Sequence, residues 1–75
     1  MTITITSTTK IVLLNEVPAR VWEGETSTGV KVHCFVTRIA IDKDETRVEE
    51  FERELKEQAA PSPKVDEAYP LRMVL

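Results

Sequence analysis

The N-terminal region of the chain alternates β-branched apolar residues with small polar ones. Residues 2–14 are rich in Thr, Ile and Val, which favour extended structure. Ile3 and Ile5 alternate with threonines, and residues 11–14 form a continuous apolar run, which is typical of a strand covered on both faces. Hydroxyl residues at 7–9 interrupt the pattern. We therefore predict either one strand with a bulge or two short strands.

A second extended region starts at Ala19, and its charges predict the register of a β-hairpin. Residues 15–18 predict a turn, since Pro18 cannot donate a ladder hydrogen bond and belongs at the start or edge of a strand. The only tight-turn candidate is 27–29, where Gly29 suits a left-handed position. This turn sets the following residues opposite each other: Thr26 and Val30, Glu25 and Lys31, Glu23 and His33, Trp22 and Cys34, Val21 and Phe35. The two pairs that contain an acid each stabilise the hairpin by about 0.2–1 kcal/mol.

This register divides the apolar side chains of the hairpin between two faces, because successive residues of a strand point to opposite sides. One face carries Trp22, Val30, Val32, Cys34 and Val36. The other carries mostly Val21, Phe35, Ile39 and Ile41. A single helix can cover only one of them. We expect the remaining face to be paired with a second copy in a homodimer or to bind another protein.

The region that follows predicts one amphipathic helix at about 44–58. Apolar residues recur at three- and four-residue steps and form a narrow stripe, made of Val48, Phe51, Leu55 and Ala59. Thr46 and Glu49 fit a capping box, and Asp44 is a second candidate for the N-cap. Pro61 and Pro63 end the pattern.

The C-terminal part predicts a connector and a last strand. Residues 59–70 form a Pro-containing connector, and apolar residues alternate with others over 71–75. Residues 1–75 therefore predict a single α+β domain of two layers. Its mainly antiparallel β-sheet has three to four strands, one α-helix (about 44–58) packs on one face, and the order is β-β-β-α-β.

Composition excludes several classes of function. The chain has 75 residues and a net charge of −3, and its basic residues are scattered, which disfavours nucleic-acid binding. With one Cys and one His it can form neither an intrachain disulfide nor a typical zinc site. We find no secretory signal and no apolar run of the roughly 20 residues that a membrane span needs. We expect a cytoplasmic protein with no cofactor, no metal and no membrane contact.

The usual catalytic residue types are poorly placed in this sequence. His33 and Cys34 are adjacent in a predicted strand, so their side chains should point to opposite faces and cannot form a dyad. The glycines match no phosphate-binding pattern. We predict no catalytic residue and no enzyme. An enzyme or small-ligand binder would need Glu23, His33 and another polar group to converge in a pocket.

The remaining hypothesis is a small non-catalytic protein-interaction module. Its candidate partner-binding residues are Trp22 and Phe35 on the sheet and Glu49, Glu50, Glu52 and Glu54 on an acidic helix. Exposed aromatic residues are typical hot spots, and an acidic surface speeds association with a basic partner. Size and charge are typical of phage or mobile-element accessory proteins. One alternative is an anti-CRISPR-like inhibitor of a host defence complex that acts through the acidic surface; another is a structural homo-oligomerising subunit.

Overall fold

The computed structural model describes residues 1–63, which form three strands followed by one helix. The elements are β1 (Ile3–Leu14), β2 (Val17–Thr26), β3 (Lys31–Val36) and α1 (Val48–Glu54). The strands form an antiparallel sheet in the order β1-β2-β3. Within the described residues, the predicted three-stranded antiparallel sheet and the helix that follows it are confirmed. The predicted strand at 71–75, and the connector beyond residue 63, lie outside the described residues.

A two-residue turn joins β1 to β2. Its residues Asn15 and Glu16 have φ angles of 49° and 70°, and Leu14 pairs with Val17 on either side of them. Positive φ at both positions gives a turn whose twist matches that of the flanking strands. The turn predicted within 15–18 is therefore confirmed. The predicted start of β2 at Ala19 is two residues too late, since the turn occupies Asn15 and Glu16 alone and β2 starts at Val17.

A bulge interrupts the pairing of β1 with β2. Ser7 pairs with Trp22 and Ile11 with Arg20, so the three residues between Ser7 and Ile11 lie opposite Val21 alone. The Thr8 hydroxyl donates a hydrogen bond of 2.7 Å to the Val21 carbonyl oxygen, which helps to satisfy a backbone group at the bulge. One continuous strand with a bulge, the first of the two predicted interpretations, is confirmed.

The predicted register of the β2–β3 hairpin is confirmed. Glu25 pairs with Lys31, as predicted. The other predicted pairs within the strands are also present: Glu23 with His33, Trp22 with Cys34 and Val21 with Phe35. Gly29 has a φ of 90° and donates its N–H to the Thr26 carbonyl oxygen at 2.9 Å. β3 ends at Val36, so strand alternation does not extend to Ile39 and Ile41. The assignment of Ile39 to the Val21 face was wrong, because Ile39 and Trp22 line the same recess.

The helix is shorter than predicted at its N-terminal end, because local hydrogen bonds compete with helical ones. The Asp44 N–H donates to Asp42 Oδ1 at 2.8 Å, and the Arg47 N–H donates to Glu45 Oε1 at 3.0 Å. Such side-chain acceptors hold the backbone in turns. Arg47 occupies the N-cap position, and its side chain makes no capping hydrogen bond to the backbone of the helix. The predicted capping box at Thr46 was therefore wrong.

Pairing with the sheet ends the helix at its C-terminal side. The N–H groups of Lys56 and Glu57 donate to carbonyl oxygens three residues earlier, at 3.2 and 3.0 Å. Ala59 then pairs with the outer edge of β1: its N–H donates to the Ser7 carbonyl at 2.9 Å, and its carbonyl accepts from the Thr9 N–H at 3.1 Å. This pairing draws the chain out of the helix before residue 58, where sequence analysis placed its end.

The buried residues of the described region lie around the bulge. Ala19 and Val21 are the buried apolar residues, at 1% and 0% exposure, and Ser7 and Thr8 are the buried polar ones. No residue of α1 is buried. The predicted packing of the helix on one face of the sheet is therefore not confirmed.

Because β1 and β2 approach closely at Gly24, we predict that any larger residue at this position destabilises the fold. A Cβ atom built on Gly24 would collide with the backbone carbonyl oxygen of Thr4 and lie 2.8 Å from the Ile5 Cα. We expect Gly24→Ala to lower the free energy of unfolding by about 1–3 kcal/mol, since backbone must shift to accommodate the methyl group. Urea denaturation followed by circular dichroism measures this loss.

Gly29→Asn is the matched control. A Cβ at Gly29 meets open space, and Asn tolerates positive φ better than most residues. We expect this variant to lose less stability than Gly24→Ala. Equal losses in the two variants would contradict the close approach of the strands at Gly24.

Candidate functional site

Trp22 and Phe35 do not form one surface. Trp22 pairs with Cys34, and Phe35 pairs with Val21. Because adjacent residues of a strand point to opposite faces, the two aromatic side chains lie on opposite sides of the sheet. The same alternation places His33 and Cys34 on opposite faces. One face of the sheet therefore cannot present both predicted aromatic residues.

An open recess of about 310 Å³ lies on the Trp22 face. Its apolar lining comprises Ile11, Pro18, Trp22, Val36, Ile39 and Leu55, and its polar lining comprises Ser7, Arg20, Thr37 and Arg38. Leu55 directly follows α1 and brings the end of the helix to this side. Trp22 itself is half-buried and is held in the central strand of the described sheet, so its position is fixed by hydrogen bonds on both sides.

The bulge determines which β1 residues reach this face. It adds two residues to β1, and an even number leaves the alternation of faces unchanged. Ile11 therefore lies on the same face as Ser7 and Trp22. Leu13, two residues on, pairs with Pro18 and extends the same face. We call the recess together with Leu13 the Trp22 surface.

Much of the Trp22 surface is exposed and apolar. Leu13 is 69% exposed, Ile11 48%, Ile39 45% and Leu55 42%. Single exposed apolar residues are normal, whereas contiguous ones mark interaction sites. Sequence analysis missed this group because Ile39 and Leu55 are distant from Ile11 and Leu13 along the chain. The predicted apolar face that carries Trp22 and Val36 identified part of the recess. The run at 11–14 was interpreted as a strand covered on both faces.

A second, polar recess of about 430 Å³ lies on the opposite face. Glu23, His33 and Ser62 line it together with Thr4, Thr6, Glu25 and Lys31. The Ser62 hydroxyl donates to Glu23 Oε1 at 2.5 Å, and the Ser62 N–H donates to Oε2 at 2.9 Å. The convergence of Glu23, His33 and another polar group, which the enzyme hypothesis required, is thus present in the structure.

Hydrogen bonds in this second recess stabilise the charged form of Glu23. Burial on its own raises the pKa of Glu23, but the two hydrogen bonds from Ser62 and the charge of His33 outweigh it, so the pKa lies below its ordinary value. A general base that acts near neutral pH needs the opposite shift. Glu23 is therefore a poor acceptor for the Ser62 proton, and their contact instead ties residue 62 to the sheet.

The four predicted acidic residues are all exposed on α1. They are Glu49, Glu50, Glu52 and Glu54. In the described part of the chain, none of these four side chains lines either recess. The bidentate ion pair nearby joins Arg47 to Glu45, with Nε–Oε1 at 2.9 Å and Nη2–Oε2 at 3.2 Å. This pair lowers the pKa of Glu45 and raises that of Arg47, and it neutralises part of the charge at the start of the helix.

Comparisons with known proteins add no assignment. No family model, curated protein or solved structure matches the chain. Within residues 1–63, no group of three His, Cys, Asp or Glu side chains is arranged to hold a metal ion. The same part of the chain contains no helix with the length and apolar character that crossing a membrane requires.

The contact between Glu23 and Ser62 predicts a pH-dependent contribution to stability. Because folding lowers the pKa of Glu23 from its ordinary value of 4.5, the contribution is complete above that value and is lost as the pH falls through the lower folded pKa. We expect Ser62→Ala to cost about 1 kcal/mol at neutral pH. The difference from wild type should shrink under acid conditions.

A double-mutant cycle of Ser62→Ala with Glu23→Gln, followed by urea denaturation at several pH values, measures this contact. Ser27→Ala is the control, since Ser27 is exposed and lies in the hairpin turn. Coupling of the same size at neutral and acid pH would refute the ionic character of the contact.

Proposed function

We propose that this chain is a non-catalytic interaction module that binds a protein partner through the Trp22 surface. The observation that carries the proposal is a recess in which three large exposed apolar side chains surround a half-buried tryptophan, with exposed Leu13 on the same face. Burial of apolar area is the dominant favourable contribution to most protein association, and a partner that covers this recess would remove its apolar side chains from water. Aromatic anchors surrounded by apolar contacts are typical hot spots of protein interfaces.

The strands make this surface well ordered for binding. Trp22 and Arg20 lie on β2, which is hydrogen-bonded to β1 on one side and to β3 on the other. Residues held in this way lose little conformational freedom when a partner binds, which favours affinity. The segment of β2 at 17–19 pairs with β1 alone among the described strands. The tip of this hairpin thus presents Leu13 to solvent.

The polar recess supports binding through the opposite face less well. Its Lys31 and Glu25 form an ion pair of 2.6 Å, and its Glu23 accepts two hydrogen bonds from Ser62. These groups are satisfied within the chain, and a partner would have to replace bonds that already exist. At the apolar residues of the Trp22 surface, a partner would not have to replace any hydrogen bond or ion pair.

Site-specific photo-crosslinking in the native host tests the proposal. A benzophenone amino acid placed at Leu13 should yield a crosslink to a specific protein, because this side chain is 69% exposed within the Trp22 surface. The same probe at Val30, which is 58% exposed but lies next to the β2–β3 turn, is the matched control and should not. Ile39→Glu should abolish the crosslink formed at position 13, since it places a charge in the recess.

Three other outcomes would refute the proposal. Equal crosslinking at positions 13 and 30 would indicate non-specific contact. A crosslink between two copies of the chain, with a dimer in light scattering, would assign the surface to homo-oligomerisation. Loss of the partner when Glu49, Glu50, Glu52 and Glu54 are changed to Gln, but not in Ile39→Glu, would assign binding to the acidic helix.

A further inference from the structure

We infer that the Trp22 surface binds an apolar polypeptide segment that carries one or two carboxylate groups, which pair with Arg20 and Arg38. This inference rests on the proposed function and adds the chemistry of the partner. Both arginines line the recess, and no acidic side chain does so among the described residues. The recess is therefore a positively charged site on a chain whose net charge is −3.

Arg38 is available for an external partner. It is exposed and directly follows the loop residue Thr37 at the end of β3. Within the described part of the chain it takes part in neither of the ion pairs, which join Lys31 to Glu25 and Arg47 to Glu45. Its guanidinium group can donate hydrogen bonds to a carboxylate of a partner without breaking either of these ion pairs.

Arg20 is held in position for the same role. One guanidinium nitrogen, Nη1, donates to the Thr8 carbonyl oxygen at 2.8 Å, which fixes the side chain beside the bulge. A guanidinium group has five N–H donors in a fixed plane, so this bond leaves others for a ligand. A carboxylate that reaches an already oriented guanidinium forms a short, charge-assisted hydrogen bond.

A protein segment fits this recess better than a nucleic acid does. Nucleic acid carries one negative charge for every nucleotide, and its binding depends on many basic contacts. Two arginines can neutralise one or two charges, and the exposed glutamates of α1 would repel the rest of a polyanion. The apolar residues around Trp22 require apolar side chains in the partner. An acidic amphipathic segment provides both features.

Selection from a displayed library of short random peptides tests the inference. Wild-type protein should enrich peptides in which Asp or Glu lies beside large apolar residues. Synthetic, fluorescein-labelled copies should change the fluorescence of Trp22, which is the single tryptophan of the chain. Arg38→Glu should weaken their binding by about tenfold or more, since it reverses one of the two charges.

Lys43→Glu is the control, because it makes the same change in net charge at an exposed residue outside the recess. It should alter binding by much less than Arg38→Glu. Circular dichroism confirms that both variants fold. A loss of affinity that is equal in the two variants would show a non-specific effect of net charge and overturn the inference.

The remaining outcomes separate this inference from the proposed function. If peptides without carboxylates are enriched, and Ile39→Glu but not Arg38→Glu abolishes their binding, the inference is wrong while the interaction surface stands. If no enriched peptide depends on Ile39, both are wrong. Tighter binding of a single-stranded RNA oligonucleotide than of any selected peptide would also overturn the inference.

Discussion

The bulge of β1 around Thr8 is the constraint on which the rest of the described structure depends. Thr8 is almost completely buried, and a buried hydroxyl or carbonyl without a partner would cost about 1–3 kcal/mol. The bulge avoids this cost, because the Thr8 hydroxyl bonds to Val21 and its carbonyl accepts from Arg20. On the outer edge, the neighbours of Thr8 pair with Ala59. One local irregularity thus joins the sheet, the recess and the chain that follows the helix.

The two faces of the sheet use their polar groups differently. On the face of Glu23, carboxylates are paired inside the chain with Lys31 and Ser62. On the face of Trp22, the exposed groups are mainly apolar, and Arg38 is exposed without an ion pair among the described residues. A chain of this length gains little stability from its core. Each apolar side chain left exposed therefore forgoes free energy of folding that a short chain needs. This loss supports an interaction role for the Trp22 face.

Local signals were sufficient to predict the β2–β3 hairpin. Gly29 determines the turn, and the charges of Glu25 and Lys31 determine the register. The structure departs from the predicted one where distant residues or unusual backbone angles decide the outcome. Ala59 ends the helix through a bridge to β1, which no local pattern reveals. A turn within 15–18 was predicted, but the positive φ angles of Asn15 and Glu16, which let β2 start at Val17, were not. The recess was missed for the same reason, since it joins Ile11 and Trp22 to residues beyond β3.

The polar recess illustrates why convergence of reactive residue types is not enough to argue for catalysis. Glu23, His33 and Ser62 meet there, yet two donors from Ser62 stabilise the carboxylate and lower its pKa. A base stabilised in its charged form has less tendency to take a proton. The same hydrogen bonds hold residue 62 against the sheet, so a change that made Glu23 a better base would also loosen this attachment. The hydrogen bonds from Ser62 therefore stabilise the fold and, at the same time, lower the pKa of Glu23 and weaken it as a base.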